Sequence, residues 1–213
     1  MTKEFFKEKI KYWWTLLYAV FYFACFNIIE KTEFQTIHYI TTDIDYRIPF
    51  CEWFIFFYYA WFAFLAIGFV YLFFFDKKNY LKMMTALYIG MTLFIIVSVI
   101  YPNGLDLRPS YLPNRNIACV LVNAIYRNDT PTNVLPSIHV FNSIGLAVAI
   151  DHTDLNKHWK SGCWFLAIMI ILSTFFVKQH SVTDAVAAVA LYLILYYIVY
   201  IKDHYFLKNT LKD

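Results

Sequence analysis

The sequence predicts an all-α polytopic membrane protein, a bundle of six transmembrane helices forming one domain over residues 1–213. Three observations predict it. Hydrophobic residues make up 61% of the chain and charged residues only 15%, against about 45–50% and about 25% in a soluble domain. The excess lies in long charge-free runs, as a bilayer core requires. Lysine and arginine are unevenly shared between alternate connecting segments, the asymmetry that orients a chain in a membrane.

Residues 1–11 place Phe5, Phe6 and Ile10 among lysines and read as a short interfacial helix. The run Tyr12–Ile29 has 18 residues and no A-x-A-like cleavage site, so it reads as an uncleaved first span with Trp13 and Trp14 at its interface end. A polar loop from Glu30 to Glu52 leads to Trp53–Phe75, 23 residues without a charge, closed by Asp76-Lys77-Lys78. Met83–Tyr101 is the third span. The segment from Pro102 to Ser137 carries five prolines and is the longest non-spanning stretch. Within it Ile117, Leu121, Val122 and Ile125 follow helical spacing between Arg115 and Arg127, predicting a helix lying on the loop surface or over the site as a lid. Three shorter spans follow: Ser137–Ile150, Ser161–Val177 and Val182–Ile201.

Twelve lysines fall on the N-terminus, the Lys77–Lys82 turn, the Lys157–Lys160 turn and the tail; the opposite side has six basic residues, including all four arginines. The positive-inside rule puts both termini in the cytoplasm and the Pro102–Ser137 loop and His180 outside, at the plasma membrane. Arginine suits bidentate phosphate binding, so its concentration there points to an anionic substrate. No nucleic-acid partner is expected. The four cysteines show no C-x-x-C spacing, which argues against a zinc or redox motif. Cys51 and Cys119 share the outer side, as a disulfide or as two separate thiols.

The reactive residue types concentrate in three outer segments: Leu107-Arg108-Pro109, Pro136-Ser137-Ile138-His139, and His180 to Asp184. Ser181 and Asp184 fit the S-x-x-D capping pattern, so a helix is predicted to start there with Asp184 in its first turn, four residues beyond His180. A carboxylate so placed orients one imidazole nitrogen and leaves the other free for nucleophilic attack. Ser137 is the predicted N-cap of the helix that carries His139. Two helix N-termini, each with about half a positive charge, would then face one outer pocket and offer backbone N–H groups to phosphate.

Together the three segments resemble the type 2 phosphatidic acid phosphatase superfamily, in its integral membrane branch, whose motifs are K-x6-R-P, P-S-G-H and S-R-x5-H-x3-D. Arg108-Pro109 matches the end of the first, Pro136-Ser137-Ile138-His139 the second with Ile for Gly, and Ser173, His180 and Asp184 the third. The resemblance covers residues 101–184 and the topology. Tyr101 stands at the lysine position and Thr174 at the arginine position, departures like those of the branch containing inositol phosphorylceramide and sphingomyelin synthases. Lys178 is placed to replace part of that charge.

The resemblance implies a metal-independent, cofactor-free hydrolase of a membrane lipid phosphate, phosphatidate-like or a polyprenyl diphosphate. His180 would be the nucleophile, Asp184 its orienting group and His139 the acid. Arg108, Ser137 and Lys178, with the helix-end N–H groups, would bind phosphate. A phosphotransferase acting on an alcohol is the alternative, and a non-catalytic lipid-binding protein the third reading. Arg115 and Arg127 read as loop anchors, and His152, His158 and His204 as solvated. His38 is given no role, and the aromatics of Phe54–Tyr59 are expected to face lipid.

Overall fold

The computed structural model describes residues 15–112 and 115–202. The predicted interfacial helix, Trp13, Trp14, His204 and the tail lysines Lys208 and Lys212 lie outside the described residues. Helices dominate: α1 (Thr15–Glu30), the short α2 (Asp43–Arg47), α3 (Ile55–Phe75) after a 3-10 turn at Glu52–Phe54, and α4 (Lys77–Ile100). Then come α5 (Ile117–Asn128), α6 (Ile138–Asp151), α7 (Lys157–Phe176) and α8 (Val182–Tyr196), which runs on as a π-helical turn over Tyr197–Lys202. Two-residue strands β1 (His38–Tyr39) and β2 (Asn103–Gly104) pair in parallel, His38 opposite Asn103.

Among the described residues four helices are long and apolar enough to cross a membrane: Glu52–Phe75, Lys77–Ile100, Lys157–Phe176 and Val182–Lys202. This marks the chain as a membrane protein. The expected span Ser137–Ile150 corresponds to α6, whose 14 residues extend only about 21 Å at 1.5 Å per residue, short of a hydrocarbon core of about 30 Å. Of the first expected span, Tyr12–Ile29, residues 15–29 are described, all within the helix Thr15–Glu30. The expected turn at Lys77–Lys82 is also displaced. Asp76 alone makes the turn and caps α4, accepting a hydrogen bond from the Asn79 amide at 3.0 Å, so the three lysines lie in helix.

Helix α6 occupies the middle, in contact with α3, α4, α7 and α8, the four long helices. Ten of its residues are buried, whereas α3 and α8 turn Ile67, Val70, Val186 and Leu193 outward. Close approach depends on small residues where the helices cross, as packing between membrane helices requires. A Cβ at Gly68 would stand 2.4 Å from the Leu146 side chain, and one at Gly90 only 2.2 Å from the Phe141 ring. Phe141 is itself wedged edge-on against Tyr192 of α8, with ring centroids 5.5 Å apart. Helix α1 packs against α4, Tyr18 stacking on Tyr88 at 4.0 Å.

The loop after α4 closes on itself through Asn103, which is fully buried. Its side-chain oxygen accepts from the Val134 and Leu135 amides at 2.9 and 3.0 Å, just ahead of α6. The amphipathic α5 buries Ala118 and Val122 against Ile55, Tyr58 and Val177, so it packs over one end of the bundle. All four cysteines are free thiols.

Gly90→Ala should cost about 1–3 kcal/mol by overpacking against Phe141. Gly162→Ala in α7, where nothing lies within 4 Å of the added carbon, should stabilise by up to about 1 kcal/mol through helix propensity. Thermal unfolding in detergent measures both, and equal shifts would remove α6 packing as the constraint.

Candidate active site

The N-termini of α6 and α8 meet. The Ser137 amide donates to the Asp184 carbonyl at 3.2 Å, joining the second and third predicted motifs directly. The Ser181–Asp184 capping box forms as the sequence predicts. Asp184 Oδ2 accepts from the Ser181 amide at 2.9 Å, and the Asp184 amide donates to Ser181 Oγ at 3.3 Å. Ser137 caps α6 by accepting from the Val140 amide at 3.3 Å.

This junction brings the predicted catalytic trio together. His139 Nδ1 and His180 Nε2 are 3.1 Å apart, close enough to share one proton. On the far side of the ring, His180 Nδ1 stands 3.3 Å from Asp184 Oδ1. That contact has ion-pair distance but not hydrogen-bond alignment, so both atoms are buried without a hydrogen-bond partner. Asp184 is fully buried, His180 and His139 nearly so.

The rings around His139 come from α3. Tyr58 and Trp61 have centroids 4.6 and 4.4 Å from the imidazole. The expectation that Phe54–Tyr59 faces lipid therefore holds only in part. Phe56 is exposed, but Tyr58 is buried at the site and Phe54 stacks on Phe176 at 4.2 Å. A charge-free run gives no hint of which of its aromatics turn inward.

Arg108 reaches the same end of the bundle. Its guanidinium lies over the Tyr126 ring at 4.5 Å, donates to the Tyr126 carbonyl at 3.3 Å and to Gln179 Oε1, and keeps a buried Nε without a partner. Gln179, beside the histidine in sequence, donates in turn to Asp129 Oδ2 at 3.1 Å, and Tyr58 donates to the same oxygen at 3.4 Å. Gln179, Asp129, Tyr58 and Trp61 carry no motif signal. The hydrogen-bond partners of Gln179, Asp129 and Tyr58 lie 50 to 71 positions away, and Trp61 meets His139 from another helix, beyond any local periodicity.

Other predicted phosphate ligands are placed differently. The Lys178 ammonium donates to the carbonyls of Asp45 at 2.8 Å and Ile48 at 2.5 Å, in the loop after α1. The Val182 amide at the start of α8 donates to Asp45 Oδ1 at 2.7 Å. With the capping box, the amides of Ser181, Val182 and Asp184 are thus bonded to the chain's own carboxylates and hydroxyl. Ser137 Oγ is likewise engaged as a cap. Thr174, at the position where the motif has arginine, turns back to the Ile171 carbonyl at 2.7 Å. Tyr101 stacks on His38 at 4.3 Å. Arg115 anchors its loop through Glu52 at 2.7 Å, as expected, and His152 and His158 are exposed. Among the described residues no three His, Cys, Asp or Glu side chains form a cluster able to hold a metal ion.

Compared with family models, curated proteins and solved structures, the chain matches none.

Burial, and then the neighbouring Glu30, push the Asp129 carboxyl above its ordinary value of 3.8, with Arg108 and His180 opposing. The folded chain therefore holds this proton in a window where the unfolded chain has lost it, and stability falls as pH rises from 3.8 through that window. Asp129→Asn keeps an acceptor for Tyr58 and Gln179 and removes the charge. It should raise the melting temperature at pH 7.5, with the gain shrinking as pH is lowered toward 4.5. A gain that stays constant with pH would show that the charge carries no cost.

Proposed function

We propose that the chain is a membrane lipid phosphatase that hydrolyses a lipid phosphate monoester or diphosphate through a phosphohistidine. The observation that carries the reading is His180, with Asp184 behind one ring nitrogen and His139 against the other. A polar trio of this kind, buried where four long apolar helices end, is costly unless it has work to do.

In this mechanism phosphorus enters between the rings, parting the 3.1 Å contact. His180 Nε2 attacks, the P–O bond to the lipid breaks, and His139 passes its proton to the departing oxygen. Asp184 stabilises the positive imidazole of the phosphohistidine. Water then gives its proton to His139 and attacks phosphorus, breaking the P–N bond and releasing phosphate. Arg108, whose Nε is unpartnered, supplies the positive charge for the phosphoryl oxygens. Lys178 and the first amides of α8 are already engaged, so this site leans on one guanidinium.

The same observation supports a second reading. With Tyr101 and Thr174 contributing no charge and Arg108 the principal cation, an alcohol acceptor in place of water would make the chain a head-group phosphotransferase. Both readings place the site at the outer face of the plasma membrane, with the termini cytoplasmic and α1 and α6 as the two shorter of six crossings.

Purified protein supplied with a panel of lipid phosphates, with and without alcohols, should release phosphate or form new lipid. Activity should persist in excess chelator. His180→Ala should lose turnover by at least about 1,000-fold and no longer trap label in an acid-labile form; full activity in that variant ends the reading. His139→Ala should lose most turnover on an alkyl phosphate and far less on nitrophenyl phosphate, whose leaving group needs no proton.

A cysteine at Asn128 should react with an impermeant reagent on intact cells, while tags at both termini stay protected from protease. The opposite pattern would reverse the orientation.

A further inference from the structure

The loop between α1 and α3 carries no motif residue, yet it holds the segment that bears His180 from both sides. Asp45 is the centre of this arrangement, a carboxylate only 1% exposed. Its Oδ1 accepts from the Val182 amide at 2.7 Å, across 137 sequence positions. Its Oδ2 accepts from the Thr42 amide and hydroxyl, both at 2.8 Å, which closes the α2 turn. Its carbonyl, with that of Ile48, receives the Lys178 ammonium. Upstream, the Cys51 amide donates to the Phe176 carbonyl at 3.0 Å.

Residues 176, 178 and 182 are therefore all tied to one short stretch of the first loop, and His180 lies between them. Lys178 adopts a left-handed backbone, φ 56°, a conformation unfavourable for a residue with a Cβ and kept only where the surroundings impose it. The same loop also reaches the Arg108 segment. Thr41 and Tyr46 donate to Asp106 at 2.6 and 2.8 Å, and β1 pairs with β2. One loop thus spans the segments carrying both the guanidinium and the imidazole.

We infer that Asp45, with Lys178, is a positioning clamp that sets the placement of His180 against Asp184 and His139. The inference rests on His180 being the nucleophile proposed above. Its sensitivity comes from the His180–Asp184 contact, 3.3 Å and short of hydrogen-bond alignment. A small drift of the 176–182 segment moves the imidazole out of register, and misplacement of about 1 Å costs roughly 100-fold in rate. Loss of Asp45 also frees the Val182 amide at a helix N-terminus, where it favours an anion. Rate and affinity then separate.

The test compares Asp45→Ala, Asp45→Asn and Lys178→Met in the full chain with wild type. Four quantities are measured: kcat and KM on the lipid phosphate found active in the panel, amide hydrogen exchange over 176–184, and the rate of His180 modification by diethyl pyrocarbonate. Asp45→Ala should lower kcat about 100-fold with KM unchanged or reduced, and exchange should rise in 176–184 without a matching rise in α3 or α4. Asp45→Asn, which keeps an acceptor for Val182, should recover most of kcat. Lys178→Met should show the same local exchange. An unchanged kcat in Asp45→Ala, or exchange rising uniformly along the chain, overturns the clamp. Should wild type turn over no phosphate ester and carry no phosphohistidine, the proposed function fails by itself. The clamp is then decided by His180 modification, altered in Asp45→Ala if it holds and identical to wild type if it does not.

Discussion

The structure depends on one helix being too short. Helix α6 lies inside four long helices but cannot match their length, so its N-terminus opens within the bundle at the level where α8 begins. The backbone bond from the Ser137 amide to the Asp184 carbonyl joins those two starts. Everything polar at this end follows from it, because helix starts carry N–H groups that must find partners where no water competes. The chain meets that demand with Ser137, Ser181 and Asp184 as caps. The same residues bring two imidazoles to 3.1 Å.

How the partial charges at these ends are used bears on the chemistry proposed. A free helix N-terminus attracts phosphate, but here Asp184 and Asp45 have taken up the first amides of α8. Stiffness is gained and anion affinity is given up. The compensating charge is Arg108, held by stacking on Tyr126 and by Gln179. Gln179 is a neutral link between that guanidinium and the Asp129 carboxylate, so the two opposite charges are coupled without a direct ion pair. A substrate phosphate competing for Arg108 would pull on this link, which makes Asp129 and Tyr58 part of the same electrostatic unit.

Some of this was legible in residues alone. The S-x-x-D pattern predicted the capping box, Ser137 the cap of α6, and the four-residue spacing the His180–Asp184 pair, because each is a local relation within one helical turn. Helix α5 showed itself through its amphipathic spacing, and Arg115 behaved as a loop anchor. Of the expected spans, four are matched by helices long and apolar enough to cross a membrane. For α6, enclosed by other helices, apolar composition does not distinguish a crossing from a buried helix, because burial in protein and burial in lipid select the same residue types.

What the sequence by itself determined is therefore the class of protein, the local start of each critical helix and the residue types able to do chemistry. These follow from composition and from interactions within a few residues. Only the tertiary structure decided which cations and aromatics meet the histidines. It turned Lys178 toward Asp45 and Ile48, Thr174 back into its own helix, and Tyr58, Trp61, Gln179 and Asp129 toward the site. Long side chains choose among partners by the geometry of distant segments. Glycines such as Gly68 and Gly90 set that geometry by how closely they let the helices approach.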